Sequence, residues 1–304
     1  TQAIEIQGLR KTYRTAKGGA HEALKGVDLQ VSQGHVYGFV GVNGAGKSTL
    51  IKSLVGLLQT DGGTATVFGC EAGSVKAREH IGYLPEVSNF HEFLTARELL
   101  KVHSVLAGVS PSDRKERCLK ALELVGLAAR QDARISEFSK GMKQRFGIAQ
   151  AMVSNPSLLV LDELTSGLDP LAQRELKNIL TTLRGQGSTI FFSSHHMSEV
   201  EAICDRVAII HGGLIRAEGT MDELLTQPGS LELTYRGGEE MISGLASRSA
   251  GDGLRTVTIP EARCPEVIDA LRASNTPIVE LKAARVTLEE LYFRVVDEAN
   301  RKDT

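Results

Sequence analysis

The segment GVNGAGKST, residues 41–49, carries the residue types that bind a nucleotide phosphate. It fits G-x-x-x-x-G-K-[ST], in which glycines let backbone N–H groups turn towards an anion at a helix N-terminus. A chance glycine turn is the alternative, but an apolar run precedes this segment and helical spacing follows it. Lys47 would reach the β- and γ-phosphates, and Ser48 would ligate Mg²⁺. The phosphate loop is therefore expected to bind a nucleotide through Asn43, Gly44, Ala45, Gly46, Lys47, Ser48 and Thr49.

Two adjacent acids, Asp162 and Glu163, end the apolar segment SLLVLDE. Ligands of parallel α/β sheets bind at the carboxyl ends of the strands, so both acids are expected beside the phosphate loop. Asp162 would then hold the Mg²⁺ shell, and Glu163 would polarise the attacking water as a general base. Such a pair could instead cap the next helix, but the phosphate loop upstream favours the catalytic interpretation.

A parallel sheet must position these residues, and the sequence predicts one. Three nearly unbroken apolar runs read as buried strands: residues 35–42, 157–163 and 188–194. Helical spacing at about 95–107 and 112–125, and again after the stretch SEFSKGMKQR (136–145), predicts a helical insert near 90–150. The expected fold class is α/β, with a P-loop NTPase core, a parallel sheet and a helical insert subdomain.

After about residue 225 the pattern changes to that of a small α+β accessory domain. LTQPGS (225–230) is typical of a linker, and short strand-like runs and two helical segments follow it. Val267, Ile268 and Leu271 share one face of the first predicted helix, which opens at Pro265. The last helix is expected to bury Leu288, Leu291 and Val295. We therefore predict an ATPase domain over residues 1–225 and an accessory C-terminal domain over residues 226–304.

Composition narrows the classes of function further. The net charge is −2 with acidic and basic residues interspersed, so no nucleic-acid partner is expected. No window approaches the roughly 18 uncharged apolar residues of a spanning helix, and TQAIEIQGLRKTY has no signal-peptide core. The four cysteines lie far apart in no metal spacing, as in a reduced cytosolic chain.

The stretch FSKGM (138–142), followed by KQR, identifies a narrower family. A turn with a helix cap would explain it locally, but it resembles the L-S-G-G-Q signature of ATP-binding cassette (ABC) ATPases. Ser139 and Gly141 are kept, whereas Lys140 and Met142 replace the second glycine and the glutamine. The resemblance implies that residues 139–141 contact the γ-phosphate of an ATP held by another subunit's phosphate loop.

Further matches follow in the family's order over roughly residues 1–220. By resemblance, Tyr13 stacks on adenine, and SGLD (166–169) is the D-loop, with Asp169 at a dimer interface. His195 resembles the switch histidine that contacts γ-phosphate, and its neighbour His196 is the competing choice. Glu86, in IGYLPE, stands where most members have the glutamine that links nucleotide to the membrane partner. It would join Ser48 and Asp162 around Mg²⁺.

Within the family, the segments IGYLPE, SKGMKQR and SSHHMSEVEAICDRVAII resemble the type 2 export ATPases. This implies an ATP-hydrolysing, Mg²⁺-dependent subunit that pairs with a second ATP-binding subunit, in the first instance an identical chain. It also implies a separate integral-membrane permease and a cytoplasmic location, peripheral on the inner face of the cell membrane. The alternatives are a non-transport ABC ATPase that acts as a mechanochemical switch on a soluble partner, and a small-metabolite kinase. The kinase would lack SKG, SGLD and the histidine in this order.

Overall fold

The structure is a computed structural model that describes residues 1–14, 19–164, 167–237 and 245–302. Its chain divides into two compact units. The first unit contains Thr1–Thr220 and the chain from Val295 onward, and the second contains Met221–Arg294.

The strands and helices of the first unit alternate along the chain. The strands are β1 (Gln2–Arg14), β2 (Ala20–Ser32), β3 (Val36–Val40), β4 (Gly62–Val67), β5 (Cys70–Glu71), β6 (Ile81–Leu84), β7 (Leu158–Asp162), β8 (Thr189–Ser194), β9 (Arg206–His211) and β10 (Leu214–Thr220). The helices are α1 (Lys47–Leu54), α2 (Val75–Glu79), α3 (Ala96–Leu106), α4 (Arg114–Leu124), α5 (Lys140–Met152), α6 (Pro170–Gly185) and α7 (Met197–Ile203).

A six-stranded sheet in the order β10-β9-β3-β8-β7-β6 carries the phosphate loop and the two acids. Its strands are parallel from β6 to β9, and β10 is antiparallel to β9. Every residue of β3, β7 and β8 is buried, which explains why their sequences are nearly unbroken apolar runs. The predicted parallel α/β core is confirmed.

A second, antiparallel sheet has the order β2-β1-β4-β5. Its apolar side chains, among them Ile4 and Leu24, share one hydrophobic core with Tyr37 and Phe191 of the parallel sheet. This shared core places β2 beside the phosphate loop. A Cβ added to Gly46 would lie 2.6 Å from the carbonyl oxygen of Ala23.

Helices α3, α4 and α5 form the helical insert that the sequence predicted. Thr95 and Glu98 begin α3 with a capping box: the Thr95 N–H donates to Glu98 Oε2 (2.9 Å), and the Glu98 N–H donates to Thr95 Oγ1 (3.2 Å). The ring of Phe146 in α5 meets Phe90 and Phe138 edge to face. These contacts fix the start of α5, where the signature-like residues lie.

The second unit is built on one antiparallel sheet. Its elements are α8 (Met221–Leu225), β11 (Thr226–Arg236), β12 (Ser247–Gly251), β13 (Leu254–Pro260), α9 (Cys264–Ala273), β14 (Ile278–Arg285) and the start of α10 (Leu288–Lys302). The sheet order is β12-β13-β11-β14. Val267 and Leu271 of α9 pack on Leu233 and Tyr235 of β11, and Ile268 packs against the same cluster half-buried.

Two sequence predictions in this region are wrong. LTQPGS is not a linker, because Leu225 ends α8 and the other five residues begin β11. Pro228 and Gly229 lie in an irregular part of that strand, between the pairs Thr226–Arg285 and Leu231–Ala283. Proline has no backbone N–H to donate to a neighbouring strand, and it is tolerated here because the regular ladder of hydrogen bonds is interrupted. In α10, Leu288 and Leu291 are buried as predicted, but Val295 is only half-buried while Ala299 is buried. Helical periodicity in the sequence predicts which face of a helix is buried, but it does not predict how deeply each residue on that face is buried.

Candidate nucleotide site

The phosphate loop joins β3 to α1, and two of its glycines adopt backbone angles that L-residues avoid. Gly44 has φ +82° and Gly46 has φ +114°. Gly46 also has no room for a side chain, since a Cβ would meet the Ala23 carbonyl. Lys47 is then the first residue of α1, so the backbone N–H groups that open the helix face the cavity described below.

Lys47 is held inside the site by three oxygens. Its Nζ donates to the carbonyls of Gly41 (2.6 Å) and Val42 (3.3 Å) and lies 3.0 Å from Glu163 Oε1. The Lys47 side chain is 5% exposed and that of Glu163 is 6% exposed. The two functional groups predicted from separate motifs therefore form one buried ion pair.

Glu163 is held in an unusual backbone conformation directly after β7. Its φ is +51°, in the left-handed region that residues other than glycine rarely adopt. Ser193 stabilises this turn, because the Glu163 N–H donates to the carbonyl and the hydroxyl of Ser193 (both 3.1 Å). The other carboxylate oxygen, Oε2, lies 2.5 Å from His195 Nδ1.

The charge state of Glu163 follows from these neighbours. Burial acts to raise the pKa of its carboxyl group, but the hydrogen bonds and charges of Lys47 and His195 outweigh burial and hold that pKa below its ordinary value. The side chain is therefore ionised at neutral pH, which is the form that can accept a proton.

Asp162 is anchored by a residue that sequence analysis missed. Ser193 Oγ donates to Asp162 Oδ1 at 2.6 Å, and Ser48 Oγ lies 3.5 Å from the same oxygen. Asp162 and Ser193 are direct partners in the β7–β8 ladder. Only strand register brings them together, and nothing in the motif STIFFSS singles out Ser193.

The oxygens around Ser48 suit a magnesium ion. Mg²⁺ is usually bound by one or two carboxylates together with substrate phosphates, and Ser48 and Asp162 offer a hydroxyl and a carboxylate side by side. Burial raises the pKa of Tyr83 to about 12, and the negative charges of Asp162 and Glu86 add to that shift, so both carboxylates act on the same phenol electrostatically. No group of three His, Cys, Asp or Glu able to hold a metal occurs among the described residues. Substrate oxygens would have to complete the shell.

Lys47, Ser48, Glu163 and His195 line a cavity of about 490 Å³, whereas Asp162 is not among its lining residues. Of the residues predicted from sequence, the cavity is lined by Tyr13, Asn43, Gly44, Gly46, Lys47, Ser48, Thr49, Glu86, Glu163 and His195. Ala45 is buried beneath the loop. Two lining residues were not predicted, His21 and Ala23 of β2. No phosphate-binding or catalytic motif contains them.

The structure separates the two neighbouring histidines. His195 is half-buried and bonded to Glu163, whereas His196 is exposed and its N–H donates to Ser194 Oγ (2.9 Å) at the start of α7. The His195 side chain thus lines the cavity, in agreement with the choice of His195 over His196 from the sequence.

Comparison with known proteins shows the family. The profile of the ABC transporter family matches residues 24–166. An uncharacterised ABC transporter ATP-binding protein of Synechocystis is 36% identical over 301 residues, which cover 97% of this chain and 85% of that protein. The chain belongs to the ABC transporter ATP-binding proteins.

Other members of this ABC family agree with the resemblance found in the sequence. The daunorubicin/doxorubicin resistance ATP-binding protein of Streptomyces peucetius is 38% identical over 78% of this chain and 71% of its own length. A solved ATP-binding subunit of an ABC transporter superposes with a TM-score of 0.64 and 32% identity, over 73% of this chain and 91% of that one. The chain is thus an ABC ATPase with the cassette fold. In the parts that the structure describes, no helix is both long and apolar enough to cross a membrane.

The signature-like residues 139–141 are not among the residues that line the cavity. Ser139 caps α5 by accepting a hydrogen bond from the Met142 N–H (3.2 Å), and Lys140 and Gly141 open that helix. Asp169 caps α6 in the same way through the Ala172 N–H (2.8 Å). Ser166 of the SGLD segment lies outside the described residues.

The two capped helix starts pack closely on each other. A Cβ added to Gly141 would lie 2.8 Å from the Cβ of Ala172, and the amine of Lys140 lies against Gly167. The signature-like residues and the described residues of the SGLD segment therefore lie next to each other, and none of them lines the cavity.

Proposed function

We propose that this ABC ATPase is the ATP-hydrolysing subunit of an exporter and acts with a separate integral-membrane permease. ATP hydrolysis is supported above all by the contact of Glu163 with both Lys47 and His195 in the wall of the cavity. The resistance and export proteins among its relatives support the choice of export. The soluble-switch alternative has no particular observation in its favour.

The residues of this chain divide the work of hydrolysis. The phosphate loop and Lys47 bind the β- and γ-phosphates, which compete with Glu163 for the lysine amine. Glu163, ionised and fixed by its backbone bonds to Ser193, accepts a proton from the attacking water. His195 orients that carboxylate and reaches towards the γ-phosphate. Ser48, Asp162 and Glu86 would hold Mg²⁺, which neutralises phosphate charge when bound.

The signature residues imply that the site is shared between two chains. Ser139 and Gly141 lie away from the cavity of their own chain, at an exposed helix start that attracts anions. In a head-to-tail homodimer they would contact the ATP of the other chain. Hydrogen bonds to charged groups contribute roughly 1.5–3 kcal/mol each, against an association cost on the order of 4–15 kcal/mol. The free energy of dimer closure would thus be close to zero, and loss of the γ-phosphate would reopen the dimer.

The permease is the partner that decides between export and the soluble alternative. We expect the chain, expressed with an affinity tag in its native host, to copurify from detergent-solubilised membranes with an integral-membrane protein. The location would then be cytoplasmic and peripheral to the inner face of the membrane. Recovery only from the soluble fraction, with a soluble partner in constant ratio, would contradict this function and favour the alternative.

The second unit is proposed to be accessory, either regulating the cassette or supporting its dimer. All nucleotide-site residues named above precede Met221, and the described residues of Met221–Arg294 hold no second set of phosphate-binding groups. A chain ended after Thr220, which lacks the second unit and also the residues from Val295 onward, should still bind ATP. A truncated chain that folds, as judged by circular dichroism, but fails to bind would contradict this division of labour.

A further inference from the structure

His21 faces the nucleotide cavity although no motif contains it. It lies directly opposite Tyr13 in the antiparallel β1–β2 ladder, and both side chains line the cavity. Direct cross-strand partners project from the same face of a sheet with Cβ atoms about 4.5–5.5 Å apart. Tyr13 and His21 are therefore side-by-side parts of one wall.

The position of this wall relative to the phosphate loop can be read along β2. Ala23 touches the loop, since its carbonyl would lie 2.6 Å from a Cβ on Gly46. His21 precedes Ala23 by two residues in β2 and lines the same cavity, about 6–7 Å away at the usual rise per residue. A nucleotide whose phosphates sit on the loop extends its ribose and base over such a distance. His21 thus stands beside the nucleoside rather than the phosphates.

Tyr13 alone can hold the base of that nucleoside but cannot distinguish one base from another. Its hydroxyl is 3.4 Å from Thr49 Oγ1, and Lys11 Nζ lies 5.9 Å from the ring centroid. Stacking on an aromatic ring is available to every base, so it holds a base without identifying it. A histidine ring adds flat contact area and, when neutral, one hydrogen-bond donor and one acceptor.

We propose that His21 is a nucleoside-binding residue that forms, with Tyr13, the base-and-ribose end of the site. The inference rests on the proposed ATP-binding function. Its neighbour Glu22 provides a contrast, because it pairs with Thr12 and projects from the opposite face of β2.

The test compares ATP with inorganic tripolyphosphate, which has the phosphates but no nucleoside. In isothermal titration calorimetry, His21→Ala should weaken ATP binding roughly 5- to 50-fold, the range expected for one lost base contact. Tripolyphosphate affinity should stay unchanged. Glu22→Ala is the matched control and should alter neither ligand.

Two conservative variants show which part of the imidazole matters. Recovery of ATP affinity in His21→Phe would assign the contact to packing, and recovery in His21→Gln would assign it to hydrogen bonding; either supports a nucleoside contact. They also replace His21→Ala if thermal unfolding shows that the alanine variant is misfolded.

Unchanged ATP affinity in His21→Ala, or in both His21→Phe and His21→Gln where the alanine variant is misfolded, would overturn the assignment. An equal loss of affinity for ATP and tripolyphosphate would overturn it as well. These outcomes are distinct from failure of the proposed function. That failure would appear in the unmodified chain as the absence of binding to ATP and tripolyphosphate alike.

Discussion

Lys47 and Glu163 form a buried ion pair between the start of α1 and the end of β7, with Nζ and Oε1 3.0 Å apart. A third group joins the pair, because His195 Nδ1 contacts the second carboxylate oxygen at 2.5 Å. The residue that is proposed to bind phosphate is thus in direct contact with the residue that is proposed to activate water. Phosphate binding and the electrostatics of the base are therefore coupled.

Glu163→Gln should separate nucleotide binding from hydrolysis. The amide preserves the shape of the side chain but cannot accept the proton, so kcat should fall about 10²- to 10⁴-fold, while ATP affinity stays within a few-fold. The variant should accumulate as an ATP-bound dimer in size-exclusion chromatography. Glu79→Gln, an exposed change on α2, is the control. Near-normal turnover in Glu163→Gln would exclude it as the base.

Lys47→Ala should lower ATP affinity and also destabilise the unliganded fold. Removing one partner of a buried ion pair leaves the other uncompensated, which costs about 3 kcal/mol, the lower end of the usual range because this pair faces an open cavity. The double variant Lys47→Ala/Glu163→Gln should recover much of that loss in thermal unfolding. Lys52→Ala, on the exposed side of the same helix, should change little. Additive losses would show that the pair is not coupled.

Glu86→Gln restores the residue usual in the family at this position. Glu86 is exposed at the cavity and does not contact Glu163 or Lys47 in the described hydrogen bonds. Basal hydrolysis should persist, because the amide oxygen of glutamine can still take the place of a carboxylate oxygen beside Mg²⁺. Turnover stimulated by the reconstituted permease should change instead. Parallel loss of basal and stimulated rates, with ATP binding preserved, would place Glu86 in catalysis itself.

Gly141→Ala tests the contact between the signature helix and α6. Alanine favours a helix over glycine by about 1 kcal/mol, but here the added Cβ would lie 2.8 Å from the Cβ of Ala172. The substitution should therefore fail to stabilise the wild-type chain and should stabilise the Ala172→Gly background, as measured by thermal unfolding. Equal effects in both backgrounds would refute the close approach.

Ser139→Arg and Lys47→Ala together test whether the site is shared between chains. Each homodimer has two damaged sites, but a mixed dimer gathers both lesions in one site and leaves the other intact. Mixing the two inactive proteins should restore part of the ATPase activity. Lys47→Ala mixed with a chain carrying both changes is the control, since neither of its sites has a sound phosphate loop. Mixed dimers that form, bind ATP and stay inactive would contradict the head-to-tail arrangement.

The sequence by itself determined the local parts of this protein. The phosphate loop, the two acids at the end of β7 and the helix start at Ser139 depend on short-range rules: glycine at positive φ, apolar runs for buried strands, and side-chain caps. The same rules failed at LTQPGS, where Pro228 and Gly229 indicated a linker. Pairing with β14 makes that segment a strand, but the pairing partner is more than 50 residues away. The residues of LTQPGS themselves therefore give no sign of this pairing.

Tertiary structure alone decided how these parts meet. Strand register sets Ser193 beside Asp162, and the packing of the two sheets brings Ala23 of β2 to the phosphate loop and His21 to the wall of the cavity. The Lys47–Glu163–His195 contact joins three residues from separate parts of the chain, and their shared burial and charge shift the pKa of Glu163. Such distances and electrostatic environments depend on long-range packing, whereas a motif records only the order of residues along the chain.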